Sequence, residues 1–265
     1  MDATPDNADQ ADANPAAVER AERESEDEDL RSSISALTTL ATGRLNLEEL
    51  LVSVATFAVR AIPGADGAGL TLLENDRSNT IVTTAPFVSA VDEIQYSLMQ
   101  GPCVSAAESA QTMRSGSLGG DTRWPQFGSR VARLGVHSAV SLPLVTPTGV
   151  VGALNVYAHA KNAFDQRAAE LGELFATPAA IAVQNAQALA QAQRLALQLQ
   201  HALDTRAMID RAIGILMSRN GGTEQQALTR LRILSQHEHQ RLPVIAQSIV
   251  DEAVRRARAR NAGGC

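Results

Sequence analysis

Two strand-like runs, SAVSLPLV (138–145) and GVVGALNVYA (149–158), are linked by the turn TPTG (146–149). A link that short joins antiparallel neighbours, because a parallel pair needs a crossover of about a dozen residues or more. Two further strand-like runs, GAGLTLLE (67–74) and TIVTT (80–84), stand upstream. Between the two pairs lie short helix candidates around Cys103–Ala110 and WPQFGSRVARLG (124–135). Ahead of the first strand, Leu47, Leu50, Leu51, Val54, Ala58 and Ile62 recur at the spacing of one helical face. Asn46 followed by Glu49 makes a capping-box start, and Pro63-Gly64 stops the helix. From Asp165 to about Ser218 the helical pattern is nearly unbroken. The order predicts an α+β domain, a mostly antiparallel sheet with flanking helices, followed by a long connector helix and an all-α end.

Charge divides the chain as sharply as the pattern does. Residues 1–30 hold eleven acids and two arginines, 31–193 twelve acids and ten bases, and 194–265 six acids and eleven arginines, or −9, −2 and +5. The first segment has too little apolar material to fold alone, so 1–29 is expected to be a disordered acidic tail. The basic final segment suggests an anionic partner there, a solvated helical surface being the plainer alternative. No apolar run approaches a bilayer span and no basic-then-apolar leader opens the chain, which leads to the expectation of a cytoplasmic protein with no membrane partner. Cys103 and Cys265 lie too far apart to suggest a disulfide framework.

The segment AAIAVQNAQALAQAQRLALQLQHAL can be laid on heptads with Ala182, Asn185, Leu189, Ala192, Ala196, Leu199 and Leu203 in the seam. Such a seam of small residues is weak, and it suits a connector that pairs with itself in a homodimer. Beyond it, Ile209, Ala212, Ile213 and Leu216 cluster on one side of a helix over 204–218, while Ala207, Arg211, Gly214 and Ser218 share the other. Glycine inside a helix costs about 1 kcal/mol against alanine. Gly214 therefore either admits something that approaches closely or permits tight packing against the next helix. Thr223 and Gln226 form a second capping box, with Ala227, Leu228, Leu231 and Leu234 on the core face, and Pro243 opens the last helix.

The stretch 46–190, through ADGAGLTLL, QGPCVSAAES, DTRWPQFGSRVARLGVHSAVSLPL and GVVGALNVYAHAKNAFD, resembles a bacterial GAF sensor domain. The stretch 195–254, through LQHALDTRAMIDRAIGILMSRNGGTEQQALTRLRILSQHEHQRLPVIAQSIV, resembles an ANTAR domain over three helices and both turns. It departs from the family where Ile213 replaces a common lysine and Leu228 a common aromatic. The resemblance implies domains at 30–190 (GAF with its exit helix) and 191–254 (connector end and ANTAR), with 255–265 a basic disordered tail. It also implies binding of stem-loop RNA in nascent transcripts, promotion of antitermination, and control by a GAF pocket with an unknown small-molecule ligand.

The RNA face expected on this basis comprises Arg206, Ala207, Arg211, Gly214, Met217, Ser218, Arg219, Arg232 and Arg241. Arginine suits the task because its planar fork bonds phosphate or guanine and its face stacks on unpaired bases. The helix-turn-helix-like run leaves a DNA-binding regulator as one alternative. A GAF ligand-binding protein whose last helices only oligomerise is another.

Cys103 and Trp124 lie where a GAF pocket would open, although a buried thiol and a core anchor are the simpler readings. His237 and His239, two apart, diverge on a helix and make poor metal ligands, and His137 and His159 lack a pattern for haem. SGSLGG (115–120) lacks a strand–turn–helix context, and no P-loop occurs. No catalytic constellation, metal site or cofactor is expected.

Overall fold

The computed structural model describes residues 15–41, 46–74 and 77–262. It divides into two compact units, Met1–Ala190 and Gln191–Cys265. In the first, helices α1 (Pro15–Ala41) and α2 (Leu47–Ala61) precede strands β1 (Gly67–Glu74) and β2 (Arg77–Thr83). Helices α3 (Pro86–Leu98) and α4 (Pro102–Ser109), strand β3 (Met113–Ser115), a 3-10 turn at Leu118–Gly120 and helix α5 (Pro125–Ala132) follow. The hairpin β4 (Ser138–Thr146) and β5 (Gly149–Ala158) completes a sheet of order β2-β1-β5-β4-β3, every neighbouring pair antiparallel. Helix α6 (Gln166–Asn220) begins in this unit and ends in the second, where α7 (Glu224–His237) and α8 (Leu242–Ala262) follow.

Local signals explain most boundaries. The Asn46 side chain accepts from the Glu49 amide while the Glu49 side chain accepts from the Asn46 amide. Asp165 accepts from Ala168 N at 2.8 Å, which fixes the start of α6. One face of the sheet packs α2 and the start of α6 through Leu51, Val54, Leu70, Leu142, Leu154, Leu171 and Phe175. The other face holds a second cluster of Val88, Val91, Trp124, Phe127, Val131 and Tyr157.

Where the two expected tails fall on described residues, they are helical instead. Residues 15–29 are helical, because α1 continues into Leu30 and Leu37, which are buried in the sheet-and-helix core, and Arg167 pairs with Asp27 and Glu26. Residues 255–262 are helical too, an extension of α8 in which Glu252 pairs with Arg255 and Arg256 one turn on. Residues 1–14 and 263–265, Cys265 among them, lie outside the described residues. Helix α3 and strand β3 add two elements that the strand-and-turn reading passed over.

In the second unit Ala212, Ile213 and Leu216 of α6 pack on Ala227 and Leu231 of α7 and on Ile245 and Ala246 of α8. The corner between α6 and α7 is made by Gly221 and Gly222, at φ of 68° and 96°, a left-handed path that side chains disfavour. The Thr223–Gln226 capping box then starts α7.

Close approach of the 3-10 turn to α5 gives the first testable result. A Cβ added to Gly128 would stand 1.9 Å from the Leu118 carbonyl oxygen, a backbone atom that cannot swing away. Gly128→Ala should destabilise the first unit by about 1–3 kcal/mol, read from its chemical denaturation transition in the full chain. An unchanged midpoint would mean that the turn yields freely.

Candidate nucleic-acid interface

The sequence places Ala207, Arg211, Gly214 and Ser218 on one side of α6, and all four are exposed, opposite the buried Ala212, Ile213 and Leu216. The structure gives no support to the packing reading of Gly214. A Cβ built there meets nothing within 4 Å, so no neighbouring helix requires the glycine for packing. The surface above it is open.

That surface is one bank of a groove of about 540 Å³ between α6 and α8. Arg211, Ser218 and Arg219 stand on the α6 bank, and Ala253, Arg256 and Arg260 on the α8 bank. Of the expected set, the groove therefore gathers Arg211, Gly214, Ser218 and Arg219. Arg206 is exposed one turn upstream, with Nε 3.9 Å from Asp210. Met217 is half-buried and packs against the helical core. Arg232 on α7 and Arg241 ahead of α8 are exposed and do not line the groove. Arg256 and Arg260 were missed because they were assigned to a tail. The signal was available: Ala253, Arg256, Ala257 and Arg260 fall at i, i+3, i+4 and i+7, the spacing of one helical face.

The first unit buries a different kind of chemistry. Between the sheet and α3, Tyr157 Oη donates to Asp92 Oδ1 at 2.6 Å, and Asn155 Nδ2 lies 3.4 Å from Thr71 Oγ1. Tyr96 Oη bonds Thr71 Oγ1 and stands 3.5 Å from Cys103 Sγ. The Cys103 amide donates to Gln95 Oε1 at 2.9 Å. Gln95 Nε2, Ser141 Oγ and Asn155 Oδ1 have no partner among the described residues. Burial pushes the Cys103 thiol up to about 11, against the opposing hydrogen bond from Tyr96. At neutral pH it is a thiol rather than a nucleophilic thiolate. Burial also raises Tyr96 and Tyr157 above the ordinary phenol range, so both remain hydrogen-bond donors. Trp124 is buried as a core anchor, its indole donating to Ser105 Oγ at 2.9 Å and covered by the Arg123 guanidinium at 4.2 Å.

His237 closes α7 and His239 follows at a φ of 52°. No cluster of three or more His, Cys, Asp or Glu side chains suited to a metal occurs among the described residues. Within those residues no helix is long and apolar enough to cross a membrane.

The α+β first unit and the three-helix second unit each have a counterpart among known families. The GAF domain model matches residues 44–184, more than half of the chain, and the ANTAR domain model matches 197–250. The chain belongs to the GAF family and ends in an ANTAR domain. This GAF–ANTAR architecture points to a regulatory protein. No curated protein matches the chain. Among solved structures it is similar to the GAF domain of an Acinetobacter phosphoenolpyruvate-protein phosphotransferase, at 13% identity and a TM-score of 0.48, over 61% of this chain and 97% of that one. It is also similar to a free methionine-R-sulfoxide reductase from Neisseria meningitidis, at 15% identity and a TM-score of 0.47, over 60% of this chain and 91% of that one.

Removing one hydroxyl from the GAF domain's polar cluster tests how far it holds the domain together. Tyr157→Phe deprives the buried Asp92 of the 2.6 Å hydrogen bond that the phenol donates, without changing the shape of the core. It should lower the stability of the GAF domain by about 1–3 kcal/mol, measured by denaturant titration. A variant as stable as the parent would show that other groups satisfy Asp92.

Proposed function

We propose that the GAF–ANTAR protein is a cytoplasmic transcription regulator whose ANTAR domain binds stem-loops in nascent RNA and promotes antitermination under control of the GAF domain. The observation that carries this reading is the groove of the ANTAR domain: arginines on its banks, and a helical glycine whose exposed face nothing among the described residues occupies. Guanidinium forks match phosphate and guanine, and they stack on splayed bases in a segment that has no aromatic residue from 194 onward.

Leu189, Leu199 and Leu203 of α6 are each more than half exposed, which supports pairing of two chains along this helix. Ala182 leaves the expected seam, since it is buried. A homodimer would present two grooves to two loops of one transcript. The three unpartnered polar atoms of the buried cluster support a small polar ligand as the input to the GAF domain.

The test is a comparison of hairpin RNA with duplex DNA of equal length in fluorescence anisotropy across a salt series. The reading expects salt-dependent binding to hairpin RNA alone. Tighter binding to the duplex would favour a DNA regulator. Binding to neither would leave the last helices as an oligomerising element.

A further inference from the structure

The ANTAR match ends at residue 250, whereas α8 continues to Ala262, about three more turns. This extension supplies the second bank of the groove. Arg256 and Arg260 sit one turn apart on it, with Ala257 between them and Ala253 one turn before keeping the bank low. No acidic side chain lines the groove. Arg211, Arg219 and Arg260 form no ion pair among the described residues, and Arg256 engages Glu252 through Nε, at 2.5 Å. Four guanidinium groups around one concavity, only Arg256 of them offset by a carboxylate, make a focused positive potential, which a polyanion would neutralise. Arg255 pairs with Glu252 as well, through Nη2 at 3.0 Å, but neither Arg255 nor Arg258 lines the groove.

We propose that the α8 extension is part of the RNA site, with Arg256 and Arg260 gripping phosphates of a strand whose other side lies against Arg211 and Gly214. This rests on the RNA reading above. It adds that the final basic stretch contributes through two positioned side chains rather than through its total charge. Fork geometry is what separates the two, because a bidentate grip on phosphate needs a fixed guanidinium and a diffuse attraction does not.

The experiment compares two double variants of the full chain carrying the same loss of charge: Arg256→Gln with Arg260→Gln, and Arg255→Gln with Arg258→Gln. Arginine and glutamine are close in helix propensity, so circular dichroism should register both as unchanged. The probe is a labelled two-hairpin RNA selected from a random-loop pool on the wild-type chain. The groove pair should lose about tenfold or more in affinity and flatten the salt slope by about 1.4 to 1.8 units, the share of two phosphates. The outward pair should lose much less. Lysine at 256 and 260 should restore the slope but only part of the affinity, and it guards against any unravelling of α8 in the glutamine variant. Equal losses in the two glutamine pairs would overturn the proposal, as would an unaffected groove pair in a preparation where Arg211→Ala abolishes binding. Failure of the selection to yield any RNA would overturn the RNA reading itself.

Discussion

Arg211→Ala should weaken hairpin-RNA binding by about 1–3 kcal/mol, roughly five- to 150-fold, while leaving helix content and melting temperature as they were. The residue is exposed, lines the groove and makes no ion pair among the described residues, so its removal leaves no buried group unsatisfied. Gly214→Leu sharpens the same test, because stability and binding should move in opposite directions. Nothing stands within 4 Å of a Cβ at this position, so the leucine fits, and the helix should gain about 1 kcal/mol from losing its glycine. The new side chain then occupies the floor that RNA needs, and affinity should fall by obstruction. Thermal unfolding alongside anisotropy checks both. A binding loss that accompanies unfolding would make these positions structural, and unchanged affinity in both variants would move the RNA face to Arg232 and Arg241.

The second large effect concerns the connector. Leu199 and Leu203 are 58% and 63% exposed in the single chain, so Leu199→Glu with Leu203→Glu costs the protomer little of its own packing. Placed in a paired seam, the same carboxylates would have to be buried facing their copies, which a weak coiled coil cannot support. Sedimentation equilibrium should find monomers. For an RNA with two loops the affinity should drop about 10²- to 10⁴-fold, because the second contact is no longer intramolecular. For an RNA with one loop it should scarcely change. Equal losses on the two RNAs would count against a bivalent mechanism.

What could be read from the sequence follows from how local each cause is. β1 and β5 begin and end where their alternating and apolar runs do, and both capping boxes are contained in four residues each. α1 could not be read in this way. Its acidic first half is helical through partners far along the chain, Asp27 and Glu26 meeting Arg167. β3 pairs through three residues only, too few to make a pattern. α3 was legible in principle, since Pro86 marks its start and Val88, Val91 and Gln95 share its buried face.

The sites divide along the same line. One bank of the groove was visible as a face of a single helix, and the other was hidden by reading arginines as a tail. The buried cluster gathers Thr71, Asp92, Tyr96, Cys103, Asn155 and Tyr157 from four elements, and their meeting is set by strand register rather than by spacing. Of these only Cys103 stood out beforehand, and it owes its chemistry to burial.

The double-glycine corner between α6 and α7 bears on how any mutational map of this domain should be read. A Cβ at Gly221 would touch nothing, yet its φ of 68° already strains any L side chain, and at Gly222, at a φ of 96°, a Cβ would press within 2.5 Å of the side-chain Oε1 of Gln226. Alanine there would re-aim α7 instead of deleting a contact. A scan that scores loss of function alone would mark 221 and 222 as brightly as Arg211, although one pair sets direction and the other residue is the one proposed to touch RNA. Only a parallel measure of fold, residue by residue, separates hinge pins from fingertips.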